Sequence, residues 1–207
     1  SLRKPVVSLL YGNRKMLGGM AYCAQVLEEG DTDLVICHQE ALERLIQVFV
    51  RMTVLREDGV VLLQGIHGTG KRYLAQALGD SLGMEALCIH GRKLLSKGPE
   101  AVAQALEEAV LKTVLAGHIL YLDMNGVGRE EAGPLAQALV FLKDYVGRFL
   151  IGADASWREE TEILGHVYRI AVEKPGAREQ KAFWEHFAGE YGIGFAEDVD
   201  LDQLVSL

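Results

Sequence analysis

The sequence predicts an α/β fold: a parallel five-stranded sheet with helices on both faces. Three observations carry that prediction. Short apolar runs alternate with helical patterns of about 10–15 residues, the spacing that parallel strands need for their crossovers. The clearest of these runs, Val60-Val61-Leu62-Leu63-Gln64, is apolar without a polar alternation, as a strand buried on both faces should be. That run leads directly into a glycine-rich turn, and the turn into a helical pattern.

Taken in order, residues 1–37 read as a loop-rich leader with Pro5, Gly12, Gly18, Gly19 and an acidic turn region from Glu28 to Asp33. A short helix is expected near residues 20–29, and Leu34-Val35-Ile36 could be extended. Residues 38–57 predict a helix whose apolar face is Ala41, Leu42, Leu45, Ile46, Phe49, Met52 and Leu55. The first strand follows, then a helix over 71–82 with Leu74, Ala75, Ala77, Leu78 and Leu82 at helical spacing. A second short strand is expected at 87–89. Pro99 sits where a helix to about residue 115 begins, a position that tolerates proline. Strands at 118–123, 148–153 and 167–172 alternate with a helix over 134–146. Pro175-Gly176 breaks the chain before a helix over 177–191. Residues 195–207 begin another helical pattern and stop, as the truncated start of a helical subdomain would. The organisation expected is a leader (1–37), an α/β domain (38–192) and the start of that subdomain (193–207).

Bulk properties narrow the function. The chain has 207 residues, enough for one α/β domain with a sizeable core. Its net charge of -8 argues against a broad electrostatic grip on nucleic acid, so direct nucleic-acid binding is not indicated. No apolar run approaches the roughly 18 residues of a membrane span, so no membrane partner is expected. Cys23, Cys37 and Cys88 are scattered, without zinc spacing or a disulfide framework, which fits reduced thiols in a cytoplasm.

The glycine-rich segment reads Gly65-Ile66-His67-Gly68-Thr69-Gly70-Lys71-Arg72. It follows the pattern G-x-x-x-x-G-K-[ST] through Lys71 and departs from it at Arg72. Gly65, Gly68 and Gly70 let the backbone approach an anion and adopt φ above zero. The loop N–H groups and the helix N-terminus then face phosphate, and Lys71 supplies a point charge. His67 and Thr69 complete the candidate loop. Arg72 stands where a small hydroxyl normally holds Mg²⁺. Arginine offers only donors, so it cannot ligate a cation, though its guanidinium can lie against phosphate in the metal's stead. A second element of such a site is an acid at the end of a neighbouring strand. Leu120-Tyr121-Leu122-Asp123 supplies one, about 50 residues after Lys71. Asp123 is the candidate for facing Mg²⁺ and for any catalytic role. The position after it holds Met124, which can neither accept a proton nor orient water. Glu130 and Glu131 lie too far along to be assumed substitutes.

From these residues the chain resembles the AAA+ ATPases over about residues 33–207. GIHGTGK is similar to the family's GPPGTGK, and ILYLDM to its second motif. FLIGADAS resembles the strand that carries a polar sensor residue. VYRIAVEKPGAREQKAFWEHF resembles the strand, turn and helix leading into the family's helical lid. The leader and its LLYG segment resemble the first module of bacterial proteins that carry two such modules in tandem. The resemblance implies a P-loop NTPase-type sheet, with ATP or ADP on Gly65, Gly68, Gly70 and Lys71. It places Asp123 toward metal, Asp154 at the sensor and His166 near the arginine-finger position, with Arg158 and Arg169 close by. It implies that Val35, Ile36 and Cys37 pack on adenine, that residues 193–207 begin a truncated lid, and that other AAA+ modules are partners. The family's glutamate, hydroxyl, neutral sensor and finger are all altered here. Parts that act as a unit lose activity together. The reading preferred is an ATP-binding module with weak or absent hydrolysis, serving assembly or regulation of a larger ATPase. The alternatives are an active AAA+ motor subunit and a P-loop metabolite kinase.

Overall fold

Strands that pair in parallel bury both faces, and the apolar runs of this sequence do so. The structure, a computed structural model, describes residues 18–27, 37–128, 131–154, 157, 163–190 and 192. Its strands are β1 (Ala24–Leu27), β2 (Gly59–Gln64), β3 (Ala86–His90), β4 (Ile119–Asp123), β5 (Arg148–Ala153) and β6 (Val167–Ala171). Its helices are α1 (Gln39–Leu55), α2 (Lys71–Leu82), α3 (Gly91–Leu95), α4 (Gly98–Ala116), α5 (Ala132–Val146) and α6 (Ala177–Glu190). The sheet runs β1-β3-β4-β5-β2-β6. The five strands expected from sequence pair in parallel throughout, β3 with β4, β4 with β5, β5 with β2 and β2 with β6.

The sixth strand corrects the sequence reading. Residues 18–23 form turns rather than a helix, and β1 then pairs antiparallel with β3, Ala24 opposite Ile89 and Leu27 opposite Ala86. The sheet is therefore mixed. The open edge of β3 is the physical reason. Its backbone groups need partners, and the Cys23 carbonyl accepts from the His90 N–H at 2.8 Å. The turn is held from the other side as well. Glu108, buried on α4, accepts the Met20 N–H at 2.9 Å, and Gly19 lies so close to Gln104 and Glu108 that a side chain would collide with them.

Alternate strand residues feed two cores. On one face Val60, Leu62, Leu120, Leu122, Phe149 and Ile151 pack against Leu94 of α3, Leu106 of α4 and Leu139 of α5. On the other, Val61, Leu63, Tyr121 and Leu150 pack against Leu45, Phe49 and Met52 of α1 and Leu74 and Leu78 of α2. Helices thus cover both faces. The apolar face read for α1 is buried at its centre, whereas Leu55 at its end is 53% exposed. α2 and α4 end on left-handed glycines, Gly83 and Gly117, which stop a helix at low conformational cost. Among the described residues no helix is long and apolar enough to cross a membrane. The residues expected to begin the lid, 193–207, lie outside those described, as does the leader apart from 18–27 and Cys37.

Candidate functional site

The glycine-rich loop leaves the carboxyl end of β2, the strand flanked by β5 and β6. Its first residue is tied to both neighbours. The Gly65 N–H donates to the Ala153 carbonyl at 3.0 Å, and the Val172 N–H donates to the Gln64 carbonyl at 2.8 Å. The three glycines serve two different needs. Gly68 and Gly70 have φ of 85° and 84°, the left-handed region that glycine adopts freely. Gly65 is not left-handed; it is required because a Cβ there would strike the Val172 carbonyl oxygen and Thr69 Oγ1. Thr69 is buried and donates its hydroxyl to the Ile66 carbonyl at 3.0 Å, bracing the turn. His67 lies exposed at the loop tip.

Lys71 opens α2 and is only 3% exposed. Its Nζ donates to the Gly65 and Ile66 carbonyls, each at 2.6 Å. Burial lowers its pKa, opposed by the nearby carboxylates of Asp123 and Asp154. One lysine thus braces the loop from within, and the charges of two strand-end carboxylates, Asp123 and Asp154, bear on it.

Beside the loop lies a cavity of about 380 Å³ lined by Cys37, His38, Tyr73, Pro175, Phe183 and Trp184, with Gly68, Thr69 and Gly70 as one wall. Its size and mostly apolar lining are those of a small-molecule site. A larger cavity lies elsewhere, between α4 and α5, and has no side chain from the loop. His38 precedes α1 and lies against Gly70, where a Cβ would come within 3.2 Å of its ring. Burial lowers the His38 pKa, opposed by its hydrogen bond to the Thr69 backbone and by Glu179. Of the residues expected on a base, Cys37 lines this cavity, while Val35 and Ile36 lie outside the described residues. Sequence reading missed His38, Tyr73, Phe183 and Trp184 as lining residues. The available signal was the pair of adjacent aromatics on the helix that follows Pro175-Gly176.

Asp123 ends β4 and is paired in register with His90 of β3 and with Gly152 of β5. One of its oxygens is hydrogen-bonded. Oδ1 accepts from the backbone and side-chain amides of Asn125, and Oδ2 lies 3.6 Å from His90 Nδ1. Burial lowers the His90 pKa, with Asp123 opposing and Lys93 and Arg72 adding to the effect. Arg72 is exposed on the first turn of α2, near enough for its charge to bear on Cys88, His90 and Tyr121. Met124 is 1% exposed and packs with Val127 and Leu94 in the core opposite α2. The Glu131 carboxylate accepts from the Gly128 N–H at 3.0 Å and is used in that turn; Glu130 is outside the described residues. Magnesium finds a poor donor set here. Position 72 has no hydroxyl, the Asp123 carboxylate is already hydrogen-bonded, and no group of three or more His, Cys, Asp or Glu able to hold a metal occurs among the described residues.

Asp154 is exposed just past β5. His166 lies at the opposite end of the sheet from the loop, its carbonyl accepting from the Val60 N–H. Arg169 is inside β6 opposite Leu62, and Arg158 is outside the described residues. The structure thus gathers residues 65–72, Asp123 and Asp154 at one edge, and leaves His166 away from it.

An α/β protein with a six-stranded mixed sheet and helices is what the fold defines. Compared with known families and curated proteins, the chain matches no family model and no curated sequence.

Proposed function

We propose that this chain is a nucleotide-binding module of the P-loop NTPase type, holding ATP or ADP with weak or absent hydrolysis. One arrangement carries the reading. A glycine loop with a buried lysine at its centre opens onto an apolar, aromatic-lined cavity of about 380 Å³. Phosphates on the loop N–H groups would draw Lys71 Nζ from two backbone carbonyls, and a base would enter the cavity against Phe183 and Trp184. Exposed backbone amides and lysine suffice for binding. Cutting requires more, and Met124 offers no base for water. Asp154 puts a carboxylate where phosphate charge would need a hydrogen-bond donor. In this reading the module serves assembly or regulation of a larger ATPase, as its resemblance to AAA+ tandem modules implies.

Thermal melting tests the binding half. At a nucleotide concentration about 100-fold above Kd, stabilisation should be about 2.7 kcal/mol, or roughly 5–10 °C for a domain of this size. Lys71→Ala should abolish the shift; it also removes two hydrogen bonds to loop carbonyls, so its melting temperature without nucleotide should fall somewhat, and the shift is read against the variant's own baseline. A wild-type chain that neither ADP nor ATP moves would end the proposal.

A further inference from the structure

We propose that this site binds nucleotide without a divalent cation, with the Arg72 guanidinium in the cation's place; the inference rests on the nucleotide reading above. In a metal-dependent loop a hydroxyl and a strand-end carboxylate share the cation between them. Here the first partner is missing and the second is in part hydrogen-bonded elsewhere. Arginine replaces the hydroxyl, and a guanidinium only donates. The Asp123 carboxylate is hydrogen-bonded to Asn125 through Oδ1 and faces His90 through Oδ2. Releasing it toward a metal would break the Asn125 turn, which also holds the Asn125 N–H at 3.1 Å.

The positive charge that phosphate needs is present without metal. Lys71 lies inside the loop and Arg72 follows it on the first helical turn, so the two side chains project in different directions from adjacent positions. Lys71 Nζ bonds the Gly65 and Ile66 carbonyls, within reach of the Asp123 and Asp154 charges. Arg72 lies toward the ends of β3 and β4, where Lys93 adds a further cation beside His90. A guanidinium also presents its donors in a fork that fits phosphate oxygens in pairs, which an ammonium does not. Helix N-terminal amides supply the remaining donors. Metal-free ATP or ADP is therefore the matched ligand, and its magnesium complex brings a cation toward the charges of Lys71 and Arg72.

Calorimetric titration of ATP and ADP, each in excess Mg²⁺ and in EDTA, tests this. The wild-type Kd in EDTA should equal or improve on that in Mg²⁺ within about threefold, and Arg72→Ala should weaken binding in EDTA by about tenfold. Arg72→Lys should recover part of that loss. Each variant's melting temperature without nucleotide confirms that it is folded; Arg72 is exposed, so its replacement should leave the fold intact. Binding that survives only in Mg²⁺, or that Arg72→Ala leaves unchanged in EDTA, overturns the metal-free site and leaves the nucleotide reading standing. Absence of binding in both conditions overturns both.

Discussion

The loop at residues 65–72 and the strand end at residues 123–124 lie at the same edge of one sheet, yet they differ in what they retain. The loop has each part that the proposed anion site calls for: two left-handed glycines, a third glycine packed against Val172, a braced threonine and a buried lysine. The strand end keeps its carboxylate but has turned it inward to Asn125 and His90, and its next residue is a core methionine. Binding geometry is built from backbone and is tied into the sheet by hydrogen bonds, so it persists. Reactivity depends on single side chains, and those can be replaced by others that pack as well. On the proposed reading, such replacements are enough to leave binding without turnover.

Glycine substitutions probe the backbone side of this comparison and should have the largest effect. Gly65→Ala drives a methyl into the Val172 carbonyl, which belongs to the backbone and cannot swing aside. It should cost ~1–3 kcal/mol in chemical denaturation and remove nucleotide binding. Gly152→Ala, on the strand between the loop and Asp123, meets the Tyr121 hydroxyl instead. That hydroxyl is buried without a hydrogen-bond partner. Tyr121→Phe alone should therefore be neutral or stabilising by up to about 1 kcal/mol, and it should recover part of the Gly152→Ala loss. A Gly65→Ala protein as stable and as competent to bind as wild type would show that the loop does not need its approach to Val172.

Acid should act on the site through His38 and His90, one from each side of it. Burial lowers the pKa of both below the ordinary 6.5. The folded protein thus favours their neutral forms, and the unfolded chain binds more protons just below pH 6.5. Their contribution to stability is present above that pH and lost as pH falls through the window down to the folded values. Melting temperatures between roughly pH 7.5 and 5.5 should fall, and His38→Gln should flatten part of the slope. A slope unchanged in that variant would remove His38 from the account.

The smallest effect concerns the thiols. Burial pushes Cys23 up to about 11 and Cys88 up to about 12, and neither is accessible. Cys37 is partly exposed and lines the cavity, with burial and Glu179 raising its pKa. Under native conditions a maleimide should label Cys37 slowly and leave the other two untouched. Saturating nucleotide should slow that labelling severalfold. Labelling at Cys88 in the folded protein, or no protection at Cys37, would contradict the placement of the cavity beside the loop.

The five parallel strands were legible because continuous apolar runs of β-branched and aliphatic residues have few other uses in a chain with helices between them. The loop was legible from its glycines and lysine. The antiparallel β1 was not, because the neighbourhood of Met20 to Leu27 carries no alternation; the open edge of β3 sets its conformation. Gly65 was read for φ, but its reason is a tertiary contact with Val172, which no local pattern reports. The commitment of Asp123 to Asn125 and His90 was equally hidden. His90 reaches it through strand register, across more than 30 residues of intervening sequence. The cavity joins His38 to Phe183 and Trp184, which only the fold brings together.

The central claim is that the loop binds ATP that the strand end does not cut. Incubation of the protein with labelled ATP, in Mg²⁺ and in EDTA, followed by capture of the complex and chromatography of the retained nucleotide, tests it most directly. The account predicts nucleotide retained in a Lys71-dependent manner and recovered as ATP, with no phosphate released above the Lys71→Ala background. Recovery of ADP at a rate that Lys71→Ala abolishes would contradict it.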